Sequence, residues 1–163
     1  MQPKSLHLHF IGIGPQKTGS TWLHEMLEQH PQLCMPKELK EVQFFDEFYS
    51  PTLEYLHYHF QGCSDNNLKG EITPRYFDTE EAPARAYKHF PSSKILVNLR
   101  SPVKKAESLY KHYIKRGNIP PQPFANAIEE CPQIVSSGKY QQHIEKWLAY
   151  YPKEQFHFIF LED

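Results

Sequence analysis

The sequence predicts a three-layer α/β/α domain built on a central parallel sheet. Three short apolar runs carry that prediction: residues 6–13 (LHLHFIGI), 94–99 (KILVNL) and 156–161 (FHFIFL). Each is apolar enough to be buried on both faces, as the strands of a parallel sheet are. Segments with helical spacing and clear stop signals lie between them. Strand and helix therefore alternate, and the connections are right-handed crossovers.

Residues 6–13 form the first strand. The helix after it places Trp22, Leu23, Met26 and Leu27 on one side. It ends near His30-Pro31, because a residue before Pro avoids helical geometry. Ser50-Pro51 pairs an N-cap with Pro at the first helical position and opens a helix to about Phe60. Asp65-Asn66-Asn67 is a turn signal, and a short strand follows over 68–72. A helix over 82–90 stops at Pro91 and leads into the strand at 94–99. Ser101-Pro102 repeats the cap-and-Pro start. Its helix carries Val103, Ala106, Leu109, Tyr110 and Tyr113, with Gly117 as the C-terminal stop. After a Pro-rich loop at 119–123, the last helix (139–151) buries Tyr140, Ile144, Trp147 and Leu148 ahead of the strand at 156–161.

A chain of 163 residues suits one domain, 1–163, and is short for two. It stops at Glu162-Asp163 directly after a buried strand with no closing helix. The expectation is a domain incomplete on its C-terminal side.

Aromatic residues at 14% indicate a folded core rather than disorder. A formal net charge of −1 argues against a general nucleic-acid or anionic-membrane binder. Charge is concentrated locally instead. Arg100, Lys104, Lys105, Lys111, Lys115 and Arg116 stand against the single acid Glu107, making a rim suited to an anionic ligand. Cys34, Cys63 and Cys131 form no C-x-x-C pair and are odd in number, so free thiols are expected. There is no secretory signal and no run of about 18 apolar residues. These observations together predict a cytoplasmic protein without a membrane span.

Residues 14–23 (GPQKTGSTWL) carry the chemistry. Gly14 and Gly19 have the G-x-x-x-x-G spacing of a phosphate-cradling loop between a strand and a helix, which makes the fold P-loop NTPase-like. The Lys that a triphosphatase places directly after the second Gly is missing, and Ser20 and Thr21 stand there. The loop's Lys is Lys17. This displacement points away from ATP or GTP and toward another phosphate-bearing donor. At the end of a second buried strand, Arg100 leaves toward the crevice where open α/β sheets bind ligands. Ser108 lies two helical turns beyond that helix's start. Both are candidates for a second phosphate.

GPQKTGSTWL, followed by LRSPVKKAESLYKHYIKRG at 99–117, resembles the two nucleotide-binding signatures of sulfotransferases that use 3′-phosphoadenosine 5′-phosphosulfate (PAPS). KELKEVQFFD at 37–46 and GEITPRYF at 70–77 extend the resemblance to nearly the whole chain and are most similar to heparan-type and bacterial carbohydrate enzymes. The resemblance implies in-line sulfuryl transfer from PAPS to a hydroxyl or amine of a small-molecule or carbohydrate acceptor, with no metal. It places Lys17 at the 5′-phosphosulfate and Thr18, Gly19, Ser20 and Thr21 around the 5′-phosphate. Trp22 falls where an aromatic stacks on adenine in some members, and Arg100 and Ser108 fall on the 3′-phosphate.

Glu41 takes the position of the general base, and its apolar neighbours Val42, Phe44 and Phe45 favour that role over Glu38. The pattern departs at Ile72, where heparan-type enzymes carry a second Lys; Arg75 is the nearby substitute. Two other readings stay open. One is a divergent P-loop kinase, with Asp163 as a nominal magnesium ligand. The other is a nucleotide-binding remnant without turnover. His7 with His9, and His57 with His59, offer pairs but no third metal ligand. His57 and His112 are further acid/base candidates.

Overall fold

The computed structural model describes residues 6–161. Five parallel strands are ordered β2-β3-β1-β4-β5: β1 (Phe10–Gly14), β2 (Leu33–Cys34), β3 (Leu68–Ile72), β4 (Lys94–Leu99) and β5 (Phe156–Phe160). Among the described residues, seven helices connect or flank them: α1 (Ser20–Glu28), α2 (Glu54–His59), α3 (Ala82–His89), α4 (Pro102–Arg116), α5 (Phe124–Glu130), α6 (Gln133–Ser136) and α7 (Tyr140–Leu148). A 3-10 turn, Pro74–Phe77, follows β3, and another, Lys153–Gln155, precedes β5. The predicted α/β/α architecture with a parallel sheet is the one observed.

Alternation along the central strands assigns each side chain to a layer. Ile11, Ile13, Ile95 and Val97 join Val42, Phe44, Phe45, Leu56, Tyr76, Phe77 and Trp147 in the larger core. Phe10 and Ile72 face the other way, onto Leu23 and Met35, with Leu27, Leu96 and Ile159 packed alongside. Ala106, Ile119, Ala127 and Ile134 form a satellite cluster under α4, α5 and α6.

Several local expectations shift. β1 begins at Phe10, so His7 and His9 precede the strand, with ring centroids 4.6 Å apart. The Ser50 hydroxyl accepts from the Thr52 amide at 3.3 Å, which holds a local turn, and α2 starts only at Glu54. Residues 124–136, given no structure from sequence, form α5 and α6. Leu148 is exposed rather than buried, and on the first helix Trp22 and Met26 are exposed while Leu23 is buried. The strand at 156–161 was expected to be buried, yet β5 is the sheet edge, with Phe158 and Phe160 turned to solvent.

The free-thiol expectation is corrected for two of the three cysteines. Cys34 at the end of β2 is disulfide-bonded to Cys63, just beyond α2, and Cys131 is free. The compartment expectation loses the support it drew from reduced thiols. Among the described residues, no helix is long and apolar enough to cross a membrane.

Candidate functional site

The loop after β1 is shaped by three left-handed residues, Gly14 (φ 92°), Lys17 (φ 68°) and Gly19 (φ 87°). Gly14 is required for two reasons. Its φ is positive, and a Cβ there would lie 2.5 Å from the Pro74 carbonyl oxygen, so the loop presses directly on the 3-10 turn. Thr18 turns inward and donates to the Pro15 carbonyl at 2.6 Å, bracing the loop from beneath. Gly19 caps α1 without a side-chain acceptor, so no side chain occupies the first-turn amides of the helix. Such a terminus favours an anion.

β1 and β4 are hydrogen-bonded neighbours, and their carboxyl ends deliver the loop and Arg100 to the same place. A cleft of about 450 Å³ opens there, lined by Lys17, Gly19, Ser20, Thr21, Lys40, Glu41, Arg100, Ser108, His112 and Arg116, with Gln16, Pro74 and Leu161. A second cleft of about 420 Å³ continues along α4 between Arg100, Lys104, Glu107, Ser108 and Lys111, sharing Arg100 and Ser108 with the first. A third, of about 460 Å³, shares Gln16 and His112 and is walled by Arg75, Asp78, Thr79, Tyr113, Asn118, Ile119, Cys131 and Gln133.

Cations dominate the first cleft. Burial, and then Lys40, Arg100, Lys115 and Arg116, pull the Lys17 pKa below the ordinary lysine value. Burial, followed by Lys17 and Arg116, lowers that of His112, which leaves its imidazole neutral at pH 7. Such a concentration of positive charge is met by a polyanionic ligand.

Of the residues expected from the sequence, Lys17, Gly19, Ser20, Thr21, Glu41, Arg100 and Ser108 share this cleft. Thr18 is buried below it, and Trp22, 53% exposed on α1, stands outside its lining. Glu41 does not have the apolar setting expected of it. Val42, Phe44 and Phe45 turn into the core, and Glu41 instead pairs with Lys40 at 3.1 Å. Glu38 lies in a separate shallow pocket with Lys37, Tyr58 and Gln61. His57 sits on α2 and lines none of the three clefts. Ile72 is buried against Phe10, Leu23 and Met35, so its position faces the opposite layer. Arg75 lies in the third cleft and pairs with Asp46 at 3.6 Å and Glu47 at 3.2 Å. Asp163 lies outside the described residues.

Sequence reasoning missed Lys40. Its ammonium group donates to Thr21 Oγ1 at 2.7 Å and to Glu41 Oε1 at 3.1 Å, linking the phosphate loop to the candidate base. Arg116 was noted only as part of a basic run, and its place in the cleft follows from the four helical turns of α4.

The model of the sulfotransferase domain matches residues 8–163. The chain is 33% identical to a Drosophila melanogaster bifunctional heparan sulfate N-deacetylase/N-sulfotransferase, over 92% of this chain and 17% of that protein. It is 32% identical to Mus musculus heparan sulfate glucosamine 3-O-sulfotransferase 5, over 96% of this chain and 51% of that protein. It thus spans about half the length of these curated relatives, or less. In fold it is similar to a sulfotransferase from Alicyclobacillus acidocaldarius, with a TM-score of 0.82 at 22% identity, covering 95% of this chain and 73% of that one. It is also similar to mouse sulfotransferase SULT7A1 complexed with PAP, with a TM-score of 0.61 at 18% identity, covering 98% of this chain and 52% of that one.

Proposed function

Because the chain belongs to the sulfotransferase family, we propose that it moves a sulfuryl group from PAPS to a hydroxyl or amine on a carbohydrate acceptor. The observation that carries this reading is the convergence of Lys17, Glu41, Arg100 and Ser108 on one cleft at the carboxyl ends of β1 and β4. Lys17 and the amides at the start of α1 hold the 5′-phosphosulfate. Arg100 and Ser108, where the first and second clefts meet, hold the 3′-phosphate. The third cleft, walled by polar groups and open to the first through Gln16 and His112, receives the acceptor.

The acceptor oxygen or nitrogen attacks sulfur as the bond from sulfur to the bridging phosphate oxygen breaks. The acceptor's proton passes to Glu41, and the charge arriving on the leaving phosphate falls beside Lys17. Lys40 holds Glu41 against Thr21, so the base stays in register with the loop. Trp22, exposed on α1 beside the loop, offers a ring face for the adenine.

Thermal unfolding tests donor binding. Adenosine 3′,5′-bisphosphate should raise the melting temperature well above the shift given by ATP with magnesium. Equal or reversed shifts would remove the donor assignment. Transfer of labelled sulfate from PAPS to heparan sulfate tests turnover, and donor binding without transfer would leave a nucleotide-binding remnant.

A further inference from the structure

Glu71 has no part in the chemistry above, yet it is fully buried at the end of β3. It stands behind residues 41–46, the segment that carries Glu41. That segment has no helix or strand of its own, and it contains Gln43 in the left-handed region at φ 55°. Its carbonyls are held by Tyr55, which donates to Val42, and by Arg85, which donates to Phe45 and Asp46. Two of its amides depend on side chains beside Glu71. The Gln43 amide donates to Thr73 Oγ1 at 3.2 Å, and the Phe45 amide donates to the Tyr76 hydroxyl at 3.2 Å. Thr73 in turn donates to Glu71 Oε2 at 2.8 Å.

We propose that Glu71 is a positioning residue whose buried carboxyl, acting through Thr73 and Tyr76, holds residues 41–46 so that Glu41 is presented to the cleft. The catalytic half of this statement rests on the reading of Glu41 as base; the structural half does not.

The charges around Glu71 support a neutral carboxyl. The acids Asp46 and Glu41 face it, and the phenols of Tyr55 and Tyr76 flank it. Arg75 is engaged by Asp46 and Glu47. Arg85 is turned to backbone carbonyls. Burial pushes the Glu71 pKa up to about 8; the Thr73 and Tyr76 hydrogen bonds oppose this, and Asp46 and Glu41 add to it. An ionised Glu71 would put a third negative charge near Asp46 and Glu41 at a fully buried position.

The sign follows from the raised folded value. The stabilisation from a neutral Glu71 is complete below the pKa of the unfolded chain, near 4.5, and is lost as pH rises through about 8. Residues 41–46 should therefore loosen in mildly alkaline solution while the rest of the sheet stays intact.

Amide hydrogen exchange at Gln43 and Phe45 reads this network directly. After correction for intrinsic rates, protection of both amides in the wild-type chain should fall by at least about tenfold between pH 7 and pH 9. The Glu71→Gln variant keeps the shape but cannot ionise, and its protection should stay level. The kcat for transfer from PAPS to heparan sulfate should decline over the same range in the wild type, with the KM for PAPS unchanged, and the decline should be absent in Glu71→Gln. Protection that is independent of pH in the wild type would overturn the proposal, and that measurement needs no variant. An equal alkaline fall in Glu71→Gln would overturn it as well. Exchange that behaves as expected in a chain with no detectable transfer would uphold the positioning role and reject the function of Glu41.

Discussion

Lys17 sits among like charges, and that crowding determines what its removal should do. Lys40, Arg100, Lys115 and Arg116 all oppose its protonation in the absence of an anion. Lys17→Ala should lower kcat by about 10²–10³-fold, the usual cost of losing a donor aimed at a developing oxyanion. The ligand-free protein should melt no lower than the wild type, since a repulsive charge has gone. Single-turnover transfer and thermal unfolding check the two halves. Glu41→Gln should cost about 10²–10⁴-fold in kcat while leaving the affinity for adenosine 3′,5′-bisphosphate unchanged. His112 is neutral and shares the cleft, so it is the competing base. His112→Asn should cost less than about tenfold if Glu41 carries the proton. A larger loss for His112→Asn than for Glu41→Gln would reverse the assignment. Lys40 was invisible from sequence because nothing local separates it from the other charges of KELKE. Its meaning arises only when the chain folds back and sets it between Thr21 and Glu41.

At the level of elements, signals made within a few residues proved legible, and those needing a distant partner did not. β3 and β4 fall on the predicted boundaries, and α4 runs from Pro102 to the left-handed Gly117. Ser50 carried the same cap-and-Pro signal as Ser101, and neither hydroxyl caps a helix; α4 still starts at Pro102, whereas the Ser50 hydroxyl takes the Thr52 amide and α2 starts only at Glu54. β5 looked buried by composition, but composition does not specify which strand takes the edge. The Cys34–Cys63 bond was equally hidden, because 29 residues separate the partners. Their meeting depends on β2 lying beside β3 and on α2 returning over that edge. This bond closes the segment that contains Lys40, Glu41 and Asp46. The double variant Cys34→Ser/Cys63→Ser should lose roughly 3–4 kcal/mol in denaturant unfolding, the chain-entropy value for a loop of this length. A loss below about 1 kcal/mol would mean the segment is ordered by its own packing.

Across the whole molecule, the alternation of strands and helices could be read from the sequence, but the strand order could not. That order decides where ligands bind. β1 lies at the centre, with β3 on one side and β4 on the other, so the chain reverses direction of growth around it. The crevice that results is where an open α/β sheet takes its ligand. The sequence identified the residues of the cleft from two motifs, while the third cleft, drawn from residues spread between Gln16 and Gln133, has no contiguous signature.

The pairing of β1 with β4, which runs from Phe10 opposite Lys94 to Gly14 opposite Val97 with a one-residue shift between Gly12 and Gly14, has one more consequence. Arg100 directly follows β4 and Lys17 lies three residues beyond β1, so the gap between them is set by the backbone ladder together with the left-handed turns of the loop. On the proposed reading, this frame sets the distance between the two phosphates of the donor. The walls of the third cleft hang from turns, from α4 and from α6, all outside the ladder. On the same reading, substitutions in the walls that the first cleft does not share, such as Asp78, Thr79 and Asn118, change the acceptor without moving the donor frame.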